Sequence, residues 1–214
     1  MQKEDQAIVH EFSRGKSMIG APALDFIARS TKGDVQLSHL KGRWVLLFCH
    51  PADFTPVCTS EFVALAQIQS KFEDLGVQLL GLSVDSVFSH MGWVEWIEKE
   101  FGIIVDFPVI EDISMEIAQA YGMIDNRSES TATVRACFFI DPDQNIQAVI
   151  HYPMHIGRSI DELLRVQKAL IETFHSGKTA PANWQPGDEL MKSAVDALGG
   201  PTADWLRHVM KIAD

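Results

Sequence analysis

The stretch WVLLFCHPADFTPVCTSEF, residues 44–62, is where the reading of this chain begins. Its first six residues are apolar without a break and lie between Gly42 and Pro51, the pattern of a buried strand. Beyond Pro56, apolar residues fall at Phe62, Leu65, Ile68, Phe72 and Leu75. Steps of three and four put them on one face of a helix, and Gly76 is placed to end it. At the junction, Thr55 is a preferred N-cap residue and Pro56 suits the first helical position. Cys58 then falls third, where a capping box would hold Glu or Gln. A thiol in the first turn sits near unpaired backbone N–H groups and the positive end of the helix dipole, a setting that favours thiolate over thiol.

Magnitude shows that the helix alone is insufficient. A free thiol ionises near pH ~8.5, and making it predominantly anionic at neutral pH requires roughly 3.4 kcal/mol. A helix terminus supplies about 0.3–1 kcal/mol, and ~2 at best. A unit positive charge at about 4 Å adds on the order of 4 kcal/mol at an effective dielectric of ~20. Arg135 is the candidate, because it interrupts the apolar run TVRACFFID (133–141), where an unpartnered guanidinium is costly. Strand alternation puts it on one face with Thr133 and Cys137. Two readings of Arg135 stay open on this pattern: work at the thiol, or pairing with an acid such as Asp106 or Asp112. Thr55 has a second available role, its hydroxyl pointing at whatever the thiolate attacks.

Outward from this stretch, VQLLGLSV (77–84) reads as a second buried strand. Residues 90–101 have helical spacing with Trp93, Trp96 and Ile97 on one side. A short helix follows around Met115 to Tyr121. TVRACFFID and IQAVIHY, joined by the turn DPDQN, form two strands, and Ile160 to Phe174 an amphipathic helix. The expectation is a layered α/β domain whose central sheet is mixed and carries helices on both faces. Residues 1–17 read as a polar tail, 18–175 as the domain and 176–214 as a C-terminal arm. The arm starts with SGKTAPANWQPGDE and continues with a helix over 188–198, a Gly199-Gly200-Pro201 break and a last piece holding Trp205. Trp184 and Trp205 are its candidate anchors on the domain or on a partner subunit.

Composition narrows the function. The net charge of −11 argues against a nucleic-acid groove or an anionic membrane as main partner. No apolar run reaches the ~20 residues of a membrane span, and the N-terminus lacks a secretory apolar core, so the expected location is cytoplasmic. Three cysteines, Cys49, Cys58 and Cys137, are too few for a disulfide framework and suit a reducing compartment. There is no Cys-x-x-Cys and no zinc-finger spacing; His151 and His155 read as loop histidines beside Pro153, so no metal or other cofactor is expected. Gly81-Leu82-Ser83-Val84-Asp85 lacks the second glycine of a serine-hydrolase elbow.

The spacing Pro51-x-x-x-Thr55-x-x-Cys58 resembles the active-site signature of the peroxiredoxins, and KGRWVLLFCHPADFTPVCTSEF is similar to their one-Cys subfamily. The likeness continues through LLGLSVDS, FPVIEDISMEIAQAYGM, TVRACFFIDPD, YPMHIGRSIDELLR and the arm TAPANWQPGDE, about residues 18 to 214. The resemblance implies a thioredoxin-like fold and hydroperoxide reduction by a cysteine. It implies that Cys58 is the nucleophile, that Thr55 hydrogen-bonds the peroxide, that Arg135 stabilises the anion, and that Pro51 shields the pocket. Glu61 and Arg158 match positions that hold the arginine network, and His50 is a candidate lining residue with a surface or packing role equally open. The sulfenic acid product needs a second thiol. Residues 138–214 hold no cysteine, and Cys49 and Cys137 read as packing residues. The expectation is therefore a one-Cys cycle using an external thiol (thioredoxin-, glutaredoxin- or glutathione-like), in a homodimer or a decamer of five dimers. A peroxide sensor and an oligomeric holdase are the competing classes.

Overall fold

The computed structural model describes residues 17–124 and 130–192. The chain divides into two compact units after Ile160. In the first, strands β1 (Ile27–Ser30), β2 (Gly33–Gln36), β3 (Trp44–Cys49), β4 (Val77–Ser83), β5 (Val109–Glu111), β6 (Arg135–Ile140) and β7 (Ile146–Tyr152) form one sheet in the order β2-β1-β5-β4-β3-β6-β7. The pairs β3–β4 and β4–β5 are parallel; β3–β6, β6–β7, β1–β5 and β1–β2 are antiparallel. The sheet is mixed, as expected.

The strands whose sequences are continuously apolar are central, with all of β3 and β6 buried. Alternation along β3 divides the core. Val45, Leu47 and Cys49 join Leu80, Leu82, Ile110, Ala136 and Phe138 on one face. Phe48 lies on the other, its ring 5.6 Å from that of Phe62. Phe62 belongs to α1 (Pro56–Glu73), the helix expected after Pro56. The approach is close enough to require Gly81 on β4: a Cβ there would stand 3.3 Å from the ring tips of both Phe48 and Phe62. Gly76 ends the α1 turn as expected, with φ +71° and its N–H donating to Glu73 O at 2.8 Å. Helix α2 (Val87–Phe101) buries Val87, His90, Trp93 and Ile97, while α3 (Glu116–Ala120) contributes Ile117 and Ala118 to the Val45 face. Helices thus cover both faces of the sheet.

Several details differ from the sequence reading. The hairpin β1–β2 was not legible, because both strands are four residues long and largely exposed or half-buried. The three-residue β5 was likewise missed. Helix α2 starts at Val87, ahead of residue 90, because the Ser86 hydroxyl accepts from Ser89 N at 3.2 Å and caps it. Trp96 is 36% exposed and does not share the buried side of Trp93.

In the second unit, α4 (Ile160–Ser176) is the expected amphipathic helix. Residues 188–192 are not helical: Met191 bridges Thr179, exchanging N–H to carbonyl bonds of 2.8 and 2.9 Å. Residues 193–198, the glycine break and Trp205 lie outside the described residues. Trp184 is 3% exposed; its indole N–H donates to Asp188 O at 3.0 Å and its carbonyl accepts from Arg165 Nη1 at 2.9 Å. Among the described residues no helix is long and apolar enough to cross a membrane.

Candidate active site

Thr55 stands at the N-cap of α1 with extended backbone, φ −82° and ψ 146°, and Pro56 opens the helix. The hydroxyl does not cap the helix, as a threonine there usually would; it donates back to Ala52 O at 2.9 Å. The first turn therefore has no side-chain acceptor on its N–H groups and no acidic residue. Cys58 lies in this turn, fully buried. Pro51 is buried in the loop that precedes it.

The cation at the thiol is Arg135. Its Nη1 donates to Cys58 Sγ at 3.3 Å and to Glu61 Oε2 at 2.7 Å, and its Nε donates to Met154 O at 2.9 Å. Arg135 thus meets both the thiol and an acid, and that acid is Glu61. The acids weighed against it are engaged elsewhere, Asp106 with Lys32 and Asp112 with the N–H groups of Ile117 and Ala118. Glu61 lies one turn along α1 from Cys58 and faces both arginines. Arg158 donates to it from its backbone N–H (2.8 Å), Nε (2.9 Å) and Nη2 (2.7 Å). Arg158 Nη1 reaches Cys49 O at 2.9 Å, and the guanidinium lies 5.2 Å from the centre of the Phe48 ring. Burial alone would push the Glu61 carboxyl up. The charge and hydrogen bonds of Arg158, with the charge of Arg135, overcome this and hold it below the usual carboxylate range.

The other two cysteines occupy different environments. Cys49 lies on the Val45 face of the sheet, away from Phe48. Its sulfur donates to Val134 O at 3.0 Å and accepts from Ala136 N at 3.3 Å, and burial drives its pKa up to about 11. Cys137 pairs in register with Phe48 and so shares the face of Arg158, whose Nη1 is 3.6 Å from its sulfur. Burial also raises its pKa, outweighing the arginine. All three cysteines are free thiols.

His50 is fully buried, not a surface residue, and ends β3 with two neighbours the sequence reading missed. Its Nε2 is 2.8 Å from Asp53 Oδ1, and His90 Nδ1 is 2.8 and 3.0 Å from the two oxygens of the same carboxylate. A signal for both was present. His90 falls on the buried stripe of α2 with Trp93 and Ile97, and an aspartate sits two residues before Thr55. These three side chains offer ligand atoms within 4.8 Å of one another. The separations near 2.8 Å are hydrogen-bond lengths, however; ligands held about 2.0–2.2 Å from a zinc ion in tetrahedral array stand farther apart. Burial opposes ionisation of Asp53, yet hydrogen bonds and charge from His50 and His90 hold its carboxyl well below the usual range.

The structure thus sets a thiol at an uncapped helix start beside a buried guanidinium from a distant strand. Comparison with known proteins identifies the family. Residues 19–149 match the AhpC/TSA family. Peroxiredoxin 2 of Caldanaerobacter subterraneus is 52% identical over 205 residues, 91% of this chain and 93% of its own. Peroxiredoxin 2 of Thermoplasma acidophilum is 50% identical over 180 residues, 84% of this chain and 89% of its own. The solved structure of a yeast mitochondrial 1-Cys peroxiredoxin superimposes with a TM-score of 0.75 at 39% identity, covering 80% of this chain and 84% of that one. The fold is thus thioredoxin-like, and the chain belongs to the peroxiredoxins, the AhpC/TSA family of thiol-dependent peroxidases.

Proposed function

We propose that Cys58 reduces hydrogen peroxide and organic hydroperoxides through a sulfenic acid that an external thiol recycles. The observation that carries this reading is the charge around one sulfur. Arg135 and Arg158, 3% and 6% exposed, bring two positive charges, and Glu61, 2% exposed, brings one negative. The buried set is left at +1, and a thiolate at Cys58 brings it to zero. Buried charge is tolerated only when compensated, so this environment favours the anion. Cys49 and Cys137, whose burial keeps them neutral, do not compete for the role.

In the reaction the thiolate attacks the terminal oxygen of ROOH. The S–O bond forms as the O–O bond breaks; sulfur supplies the electron pair and RO⁻ leaves, taking a proton to become an alcohol, or water when R is hydrogen. Charge developing on the leaving oxygen is met by Arg135 and the uncapped first-turn N–H groups of α1, the electrostatic stabilisation of an oxyanion-type site. Because the Thr55 hydroxyl already donates its hydrogen bond to Ala52 O, its oxygen is available to accept from the peroxide O–H. Pro51 and His50 wall the loop side. One external thiol then displaces water from the sulfenic acid to give a mixed disulfide, and a second releases Cys58. The reductant is a thioredoxin-, glutaredoxin- or glutathione-like thiol of the cytoplasm, and the enzyme works as a homodimer or a decamer.

The test is the intact mass after one equivalent of peroxide. Wild type should gain one oxygen and Cys58→Ser none. Loss of two hydrogens in wild type would mean an internal disulfide and would end the one-Cys reading.

A further inference from the structure

Of the buried cluster His50–Asp53–His90, Asp53 and His90 have no part in the reaction as described, yet Asp53 lies in the loop that carries Pro51 and Thr55 and His90 bonds to it. Both nitrogens of His90 face acceptors. Nδ1 meets the Asp53 carboxylate at 2.8 Å, and Nε2 meets Ile110 O at 3.1 Å. An imidazole satisfies two acceptors only when both nitrogens carry protons. His50 differs: Nε2 bonds Asp53, and Nδ1 has no hydrogen-bond partner among the described residues. The neutral Nε2–H form fits His50, and it places a lone pair, not a donor, at the unpartnered position.

Asp53 is held from every side. Its carboxylate meets His50 at the end of β3 and His90 on α2. Its backbone N–H donates to Asp85 Oδ2 at 3.0 Å, an oxygen that also takes the Ser83 hydroxyl at 2.8 Å, beyond the end of β4. Through His90 it is tied to β5. The next residue, Phe54, has φ +57°, a left-handed conformation costly for a bulky side chain, and its half-exposed ring stands 6.0 Å from that of Trp96 and 6.4 Å from that of Trp93. The bonds at Asp53 add to these ring contacts in holding the turn that leads to Thr55.

We propose that Asp53 and His90 form a buried carboxylate–imidazolium pair that fixes the 50–55 loop, making both positioning residues for Thr55 at the peroxide site. This rests on the peroxidase reading of Cys58 above. A pair acting through Thr55 governs how peroxide is held and leaves the reactivity of the Cys58 sulfur itself in place. The two are separable, because iodoacetamide needs the thiolate and does not need the peroxide-positioning hydroxyl.

The experiment compares wild type, Asp53→Asn and His90→Asn for the second-order rate of Cys58 oxidation by hydrogen peroxide and for its alkylation by iodoacetamide. Asp53→Asn should slow oxidation by roughly 10- to 100-fold, the scale of a misplaced reacting group, with alkylation within about twofold of wild type. His90→Asn, which keeps a donor where Nδ1 stands, should lose less. Oxidation by Asp53→Asn within about twofold of wild type overturns the proposal, as does alkylation falling in parallel with oxidation. A wild type that does not consume peroxide defeats the peroxidase reading itself. If the variants do not fold, the ring ¹⁵N spectrum of histidine-labelled wild type at pH 8 decides, since an unperturbed histidine is neutral there. A doubly protonated imidazole supports the pair; eight neutral rings overturn it.

Discussion

Arg135 illustrates what one residue can disclose. A guanidinium inside an apolar strand is costly, so its presence at position 135 marked a partner before any coordinates existed. The sequence left two partners open; the fold delivers Cys58 and Glu61 together on one Nη1. Arg135→Met removes the charge beside the sulfur. If that charge contributes on the order of 4 kcal/mol to the anion, alkylation of Cys58 by iodoacetamide at pH 7 should fall by up to about 1,000-fold, and peroxide oxidation at least as far. A rate within a few-fold of wild type in stopped-flow measurement would remove Arg135 from the mechanism. Glu61→Gln tests the other side of the same account. It leaves two buried guanidinium groups without their shared carboxylate, a loss of about 3–5 kcal/mol. The melting temperature should drop by roughly 6–20 °C, readable by calorimetry. Asp53 and His90 left a signal but not their pairing, because a buried polar pair looks like loop and core stripe until the chain is folded.

Strands and helices separate the environments of the three thiols. The strands at 44–49, 77–83 and 135–140 were legible because a strand buried on both faces writes itself as a continuous apolar run. The hairpin before them was not, since four-residue, half-exposed strands lack that signature. The helix read over 188–198 failed in its first residues because Met191 pairs with Thr179, a long-range contact that overrides local spacing. Alternation on β3 and pairing with β6 then sort the sulfurs. Cys49 and Cys137 sit on opposite faces of the sheet, and Cys58 shares a face only with Cys137. A Cys58–Cys49 disulfide would have to pass through the sheet, and a Cys58–Cys137 disulfide would have to displace the Arg158–Glu61–Arg135 network. Cys49→Ser and Cys137→Ser should therefore both retain the single-oxygen adduct at Cys58 and show no internal disulfide after peroxide. A variant that gains turnover defects only when thiol reductant is limiting would identify that cysteine as a resolving thiol.

Across the molecule, the site's charges are also part of the fold's stability, and this sets its response to acid. Glu61 and Asp53 are buried carboxylates whose folded-state pKa lies below the ordinary value. The sign follows: a depressed carboxyl binds fewer protons folded than unfolded, so it stabilises above its unfolded pKa and loses that contribution as pH falls through its folded one. Asp112 acts oppositely, since burial raises its pKa despite bonds from Ala118 and Ile117, so protonation there favours the folded state. Asp25, Glu111 and Glu162 are lowered as well, so the balance lies with the depressed carboxylates. Burial also lowers His50 and His151 below the ordinary 6.5, so stability should begin to decline below about 6.5 and fall more steeply below about 4.5, the ordinary glutamate value. Urea denaturation at a series of pH values measures this directly, with the midpoint expected to decline steadily under acid. Glu61→Gln should flatten that decline, because its contribution is already absent at neutral pH. An acid limb unchanged in Glu61→Gln would mean that the Arg135–Glu61–Arg158 network does not couple the active site to the stability of the fold.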